Sequence, residues 1–100
     1  MNKKFAFMLM GDYLPDKDTA VFLHEGMETH ILTVRDLEEA KQTAKRLADE
    51  GYGVLELCGA FKEEGARLIR KAAGDALAVG YVVHFLEDDE KINAFFACKQ

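Results

Sequence analysis

Glu56 stands where a carboxylate is costly. It interrupts the apolar run Val54-Leu55-Glu56-Leu57-Cys58, and a carboxylate buried inside a strand needs donors, a cation or a proton. General base and metal ligand are the functional roles open to it. A structural pair, or a carboxylate reaching solvent at a sheet edge, is the plainer alternative. Period-two alternation puts Glu56 and Cys58 on one face of their strand, and Gly80, Val82 and His84 on one face of the next. If the two faces coincide, Cys58 and His84 approach each other. A thiolate beside an imidazole is an activated nucleophile. A small cysteine at the end of a buried strand is also ordinary packing.

Two short loops join these residues. Gly11-Asp12-Tyr13 ends one apolar run and Cys58-Gly59-Ala60 ends another. Loops at such places carry function more often than cores do, and Tyr13 could stack on a ligand, hydrogen-bond to it, or simply cover the sheet end. Gly59-Ala60 precedes a helix start whose backbone N–H groups could hold a phosphate or carboxylate. Glu63 and Glu64 in that first turn would repel an anion, and Gly59 also serves as a simple turn residue. No GxGxxG or P-loop pattern is present, so the cofactor stays unknown. His24, Glu28 and His30 match no standard zinc spacing, and no metal site is assigned.

The elements that must position these residues alternate. Phe5 to Met10 is continuously apolar, which reads as a strand buried on both faces. A short helix follows, capped by Asp16, running to about His24 and stopped by Gly26, with Val21 and Phe22 toward the sheet. Thr29 to Val34 is a β-branched second strand. Leu37, Ala40, Ala44, Leu47 and Ala48 recur at helical spacing up to Gly51. Residues 53–59 form a third strand, 61–73 a helix ended by Gly74, and 78–85 a fourth strand. Glu87 to Cys98 fits a final helix with acidic residues in its first turn.

The resulting βαβαβαβα order predicts a single three-layer α/β domain over residues 1–100. Four mostly parallel strands in the order 2-1-3-4 would carry helices on both faces, a flavodoxin-like arrangement. A sequential order or an antiparallel edge strand is the alternative. Open parallel sheets bind ligands beyond the carboxyl ends of their strands, where the strand order reverses. In the preferred order that point lies between the first and third strands. It gathers Gly11, Asp12, Tyr13, Gly59 and Ala60 as ligand-binding candidates, with Glu56, Cys58 and His84 as catalytic ones.

Composition narrows the partners. Thirteen basic against eighteen acidic residues give a formal charge of −5, and no basic cluster exists to displace counterions from a nucleic acid. Two cysteines far apart, without a CxxC pattern, favour a reduced, cytoplasmic setting over a disulfide framework. Met1-Asn2-Lys3-Lys4 begins like a signal peptide, but the apolar run after it is too short for a signal core or a membrane span. The stripe Ile92, Phe95, Phe96 fits a core helix or a seam between two copies of the chain.

Three stretches together resemble a family of small stand-alone prokaryotic proteins catalogued only as a domain of unknown function. They are Lys4 to Gly11, Glu28-Thr29-His30-Ile31, and Glu56-Leu57-Cys58-Gly59-Ala60-Phe61 followed by Gly80 to Phe85. The resemblance implies a compact independent domain and brings no activity, cofactor or catalytic residue. Three functions follow from the residues themselves. A small-molecule-binding domain with its site at the strand ends comes first. A small isomerase, lyase or hydrolase using Glu56, Cys58 or His84 is the alternative enzyme. A homodimeric or larger interaction subunit without ligand is the third.

Overall fold

Why the second segment is a strand and not a helix decides the architecture. Ala20-Val21-Phe22-Leu23-His24 carries β-branched and aromatic residues. It is followed by Glu25 and Gly26, whose φ angles of 49° and 80° make a two-residue reversal. Positive φ at both central positions is the turn that matches strand twist. The computed structural model, which describes residues 3–97, therefore has five strands and three helices. These are β1 (Lys3–Met10), β2 (Ala20–His24), β3 (Met27–Val34), α1 (Leu37–Asp49), β4 (Val54–Leu57), α2 (Lys62–Ala73), β5 (Ala78–Tyr81) and α3 (Asp89–Ala97). The expected helix over 16–24 is corrected to an edge strand, because Gly26 turns a hairpin instead of stopping a helix.

The strands form one sheet in the order β2-β3-β1-β4-β5. β1 runs parallel to β3 (Phe7 opposite Ile31) and to β4 (Phe7 opposite Glu56), and β4 runs parallel to β5. β2 is antiparallel to β3. The expected four-stranded sheet thus gains a fifth strand.

The expected three layers are also corrected to two. The connections from β3 through α1 to β4, and from β4 through α2 to β5, cross the sheet in the same direction. Right-handed crossovers then place both helices on one face. The step from β1 to β3 goes the other way, and a helix in it would have covered the second face. The hairpin strand β2 stands in its place. Met8, Leu55 and Leu57 from the sheet and Leu47 and Ile69 from the helices are fully buried between the two layers.

α1 begins where its sequence tells it to. Asp36 accepts the Glu39 N–H at 2.8 Å, and Glu39 reaches back to the Arg35 N–H at 2.8 Å, a variant of the reciprocal cap. β5 ends at Tyr81 because β4 ends opposite it at Leu57; the last ladder bond runs from the Val82 N–H to the Leu57 carbonyl. The expected strand over 78–85 is therefore four residues, Ala78–Tyr81. Residues 82–85 leave the sheet without a partner strand. Cys98 lies outside the described residues.

Candidate functional site

Cys58 closes the ladder between β1 and β4. Its N–H donates to the Met8 carbonyl, and its own carbonyl accepts from Phe61 in the short 3-10 turn Gly59–Phe61. In a parallel ladder the next donor, the Met10 N–H, would seek the Cys58 carbonyl. It meets Cys58 Sγ instead, at 3.4 Å. The thiol thus takes the place of a carbonyl at the carboxyl edge of the sheet. His84 engages elsewhere: its Nε2 lies 2.8 Å from Asp89 Oδ1 at the start of α3. Cys58 and His84 have separate partners, Cys58 on β1 and His84 at the start of α3.

Glu56 lies on the face of the sheet that α1 and α2 leave uncovered. Leu55 and Leu57, its neighbours in β4, point into the core, so alternation turns Glu56 the other way. It is half-buried and needs no buried partner to offset its charge. Its carboxylate lies across Gly80, the residue opposite it in β5, where an added Cβ would collide with it. Gly80 is the floor on which the carboxylate rests.

The glycines flanking the strand ends differ. A Cβ on Gly11 would stand 3.1 Å from Tyr13 Cε2, so the ring lies over the end of β1. The Gly11 N–H donates to the Val34 carbonyl, and the Tyr13 N–H to the Gly11 carbonyl. Asp12 is exposed between them. At Gly59 a Cβ would meet only the Val82 carbonyl oxygen at 3.9 Å, which is ordinary contact. Ala60 is exposed beside it, and Lys62 follows with a φ of 56°, a region few side chains enter. Gly11 to Tyr13 and Cys58 to Ala60 thus sit at the carboxyl ends of two adjacent strands.

The same edge holds a groove that sequence reasoning missed. It runs between the 11–19 loop and α1, along the helix from Glu39 to Arg46. One end, about 290 Å³, is lined by Leu14, Pro15, Asp16, Lys17, Arg35 and Glu39. The adjoining end, about 310 Å³, shares Pro15, Asp16 and Glu39 and reaches His30, Thr43 and Arg46. The Asp18 carboxylate accepts the Leu14 N–H at 2.7 Å, and Thr33 Oγ1 donates to the Asp18 carbonyl at 2.8 Å. These bonds pin the loop to the sheet. Arg35 Nη2 lies 2.8 Å from Glu39 Oε2. That hydrogen bond, reinforced by the Arg35 N–H, holds the Glu39 carboxyl below its usual range. Nothing in residues 14–19 breaks a pattern, so only the hairpin, once recognised, could have brought this loop over α1.

A hydrogen-bonded chain backs the groove. Tyr52 OH donates to Glu28 Oε2 at 3.4 Å and lies 3.3 Å from His30 Nδ1; His30 Nε2 lies 2.8 Å from Thr19 Oγ1. Burial first, then the Glu28 carboxylate, raises the Tyr52 hydroxyl above its ordinary range and keeps its proton on. With that proton directed at Glu28, the Tyr52 oxygen faces His30 Nδ1 as an acceptor. Thr19 Oγ1 also donates to the Ile31 carbonyl at 3.1 Å. His24 does not join this chain; it sits 3.8 Å from Glu25 at the hairpin tip. Among the described residues no three His, Cys, Asp or Glu side chains are grouped to hold a metal ion, and no helix is long and apolar enough to cross a membrane.

The model of one family matches residues 3–97, and its description is "Family of unknown function (DUF6506)". No curated protein and no solved structure matches the chain.

Proposed function

For a chain that belongs to the DUF6506 family, of unknown function, we propose a cytoplasmic domain that binds a small polar metabolite at the carboxyl edge of its sheet. The observation that carries this is the groove between the 11–19 loop and α1, whose two ends share Pro15, Asp16 and Glu39. At about 290 and 310 Å³, its two ends each lie at the lower limit of small-ligand sites. Lys17 and Asp16 line it with opposite charges, while Arg35 is paired with Glu39 and Arg46 with Glu50. A polar ligand carrying groups of both signs, such as an amino acid, is therefore the better match. Gly11, Asp12 and Tyr13 lie on the same loop, and Gly59 and Ala60 end the neighbouring strand. They form the second contact surface of the proposed site.

Thermal unfolding against a panel of carboxylic acids, amino acids and nucleotides tests this. A ligand at a hundred times its Kd adds about 2.7 kcal/mol, which raises the midpoint by roughly 10 °C or more in a domain of this size. The shift should vanish in Arg35→Ala. A shift that survives Arg35→Ala but is lost in Tyr13→Ala moves the ligand to the crevice between β1 and β4. No shift across the panel at millimolar concentration counts against a metabolite site.

An enzyme is the second reading. The Glu56 carboxylate, half-buried with no hydrogen-bond partner among the described residues, favours a proton-transfer role for it. In that reading Glu56 or His84 moves a proton and Cys58 is nucleophile or acid. The nucleophile version requires Cys58 to react with iodoacetamide faster than a free thiol, and an ordinary rate removes the nucleophile.

A further inference from the structure

The sheet has one covered face and one bare one. On the bare face Phe5, Phe7 and Leu9 of β1 stand beside Ile31 of β3. Phe22 and Val54 flank them, 56% and 40% exposed. The chain also carries an apolar arm. After β5 it runs through residues 82–85, turns at Leu86–Asp88 and forms α3. Phe85 is 75% exposed, Phe95 71% and Phe96 78%. α3 packs chiefly on the turn that precedes it, and the two phenylalanines touch each other edge to face at 5.1 Å. Nothing in the core needs them.

We infer that a second copy of this chain covers the bare face, each copy laying its arm, Val82 to Ala97, across the sheet of the other. Area supports it. The accessible surface is 7425 Å², against about 5,700 Å² for a folded monomer of this mass. The excess exceeds the roughly 800 Å² per partner that a stable interface buries. Shape supports it as well. The radius of gyration is 14.1 Å, with a long axis of 43 Å. About 12.7 Å is normal for a chain of this length. The hydrogen bond between His84 and Asp89 ties residues 82–85 to the first turn of α3, which makes the arm one unit. Each chain offers one mainly apolar face, on which Glu56 is the charged residue beside Phe7. It also offers one arm, whose apolar residues Val82, Val83, Phe85, Phe95 and Phe96 flank the acidic run Glu87 to Glu90. A two-fold exchange satisfies the apolar parts of both and closes the assembly.

Sedimentation of the full chain from 1 to 100 µM tests the exchange, with Phe95→Asp/Phe96→Asp as the variant. Both positions are exposed within one copy, so the variant should keep its circular dichroism spectrum and melt cooperatively. The expected result is a dimer at micromolar concentration whose dissociation constant rises more than 100-fold in the variant. A wild-type chain that stays monomeric at 100 µM overturns the inference. So does a dimer that persists unchanged in the variant, because its seam then lies elsewhere. A second variant on the opposing surface, Phe22→Asp, should weaken the dimer in the same direction, and an unchanged constant there removes the sheet face as the acceptor.

Discussion

At the residue scale, two residues do work that their types alone do not announce. Cys58 Sγ replaces a ladder carbonyl for the Met10 N–H. Cys58→Ala leaves that half-buried donor unpaired and should cost about 1 kcal/mol, a fall of about 4–8 °C in the unfolding midpoint. Cys58→Ser keeps an acceptor and should recover most of it; equal losses in both variants would show that the bond contributes nothing. Gly80 is the floor under Glu56. Gly80→Ala gains about 0.5–1 kcal/mol from backbone entropy, yet must push the carboxylate aside. In a Glu56→Ala background only the gain remains. A double-mutant cycle should therefore give unfavourable coupling between the added methyl at position 80 and the Glu56 side chain, and additive effects would mean that the carboxylate moves at no cost. The importance of Glu56 was legible as a charge inside an apolar run. Its surroundings were not, since a strand's sequence does not say which of its faces is left bare.

At the scale of elements, the start of α1 shows local sequence acting directly. Asp36 caps the helix, and Glu39 is tied to Arg35. The bonds from Arg35 hold the Glu39 carboxyl below the ordinary glutamate value of 4.5. A carboxylate lowered in the folded state stabilises above the unfolded value and loses that contribution as pH falls through the folded one. Wild type should thus lose more stability between neutral pH and the acid side of 4.5 than Glu39→Gln does. Parallel stability–pH curves for the two proteins would contradict this. Asp36→Ala should cost about 1 kcal/mol at neutral pH, the usual value of a cap. The helix from Leu37 and the strand from Phe5 were readable because their apolar periods are long and consistent. Residues 16–26 were not. A five-residue strand, Ala20–His24, and one amphipathic helical turn share the same apolar spacing, and Gly26 fits both a helix stop and a hairpin turn.

At the scale of the whole molecule, replacing one crossover helix by a hairpin leaves a sheet face without a cover, and the arm beyond β5 without a place to pack. If two chains exchange arms, stability depends on protomer concentration. A tenfold rise in concentration contributes about 0.7 kcal/mol per protomer and should lift the midpoint by a few degrees; a midpoint independent of concentration would mean that the copies fold separately. The sequence by itself determined the elements with sustained periodicity, α1, α2 and the apolar parallel strands, because helical and strand spacing are local properties of a chain. It also placed Gly11 and Gly59 at strand ends and marked Glu56 as exceptional. Only the tertiary structure decided that His84 leaves the sheet for Asp89, that the 11–19 loop forms a groove with α1, and that Glu56 faces away from the helices. Each of these depends on which strands become neighbours and which face each crossover covers, and those contacts join residues far apart along the chain.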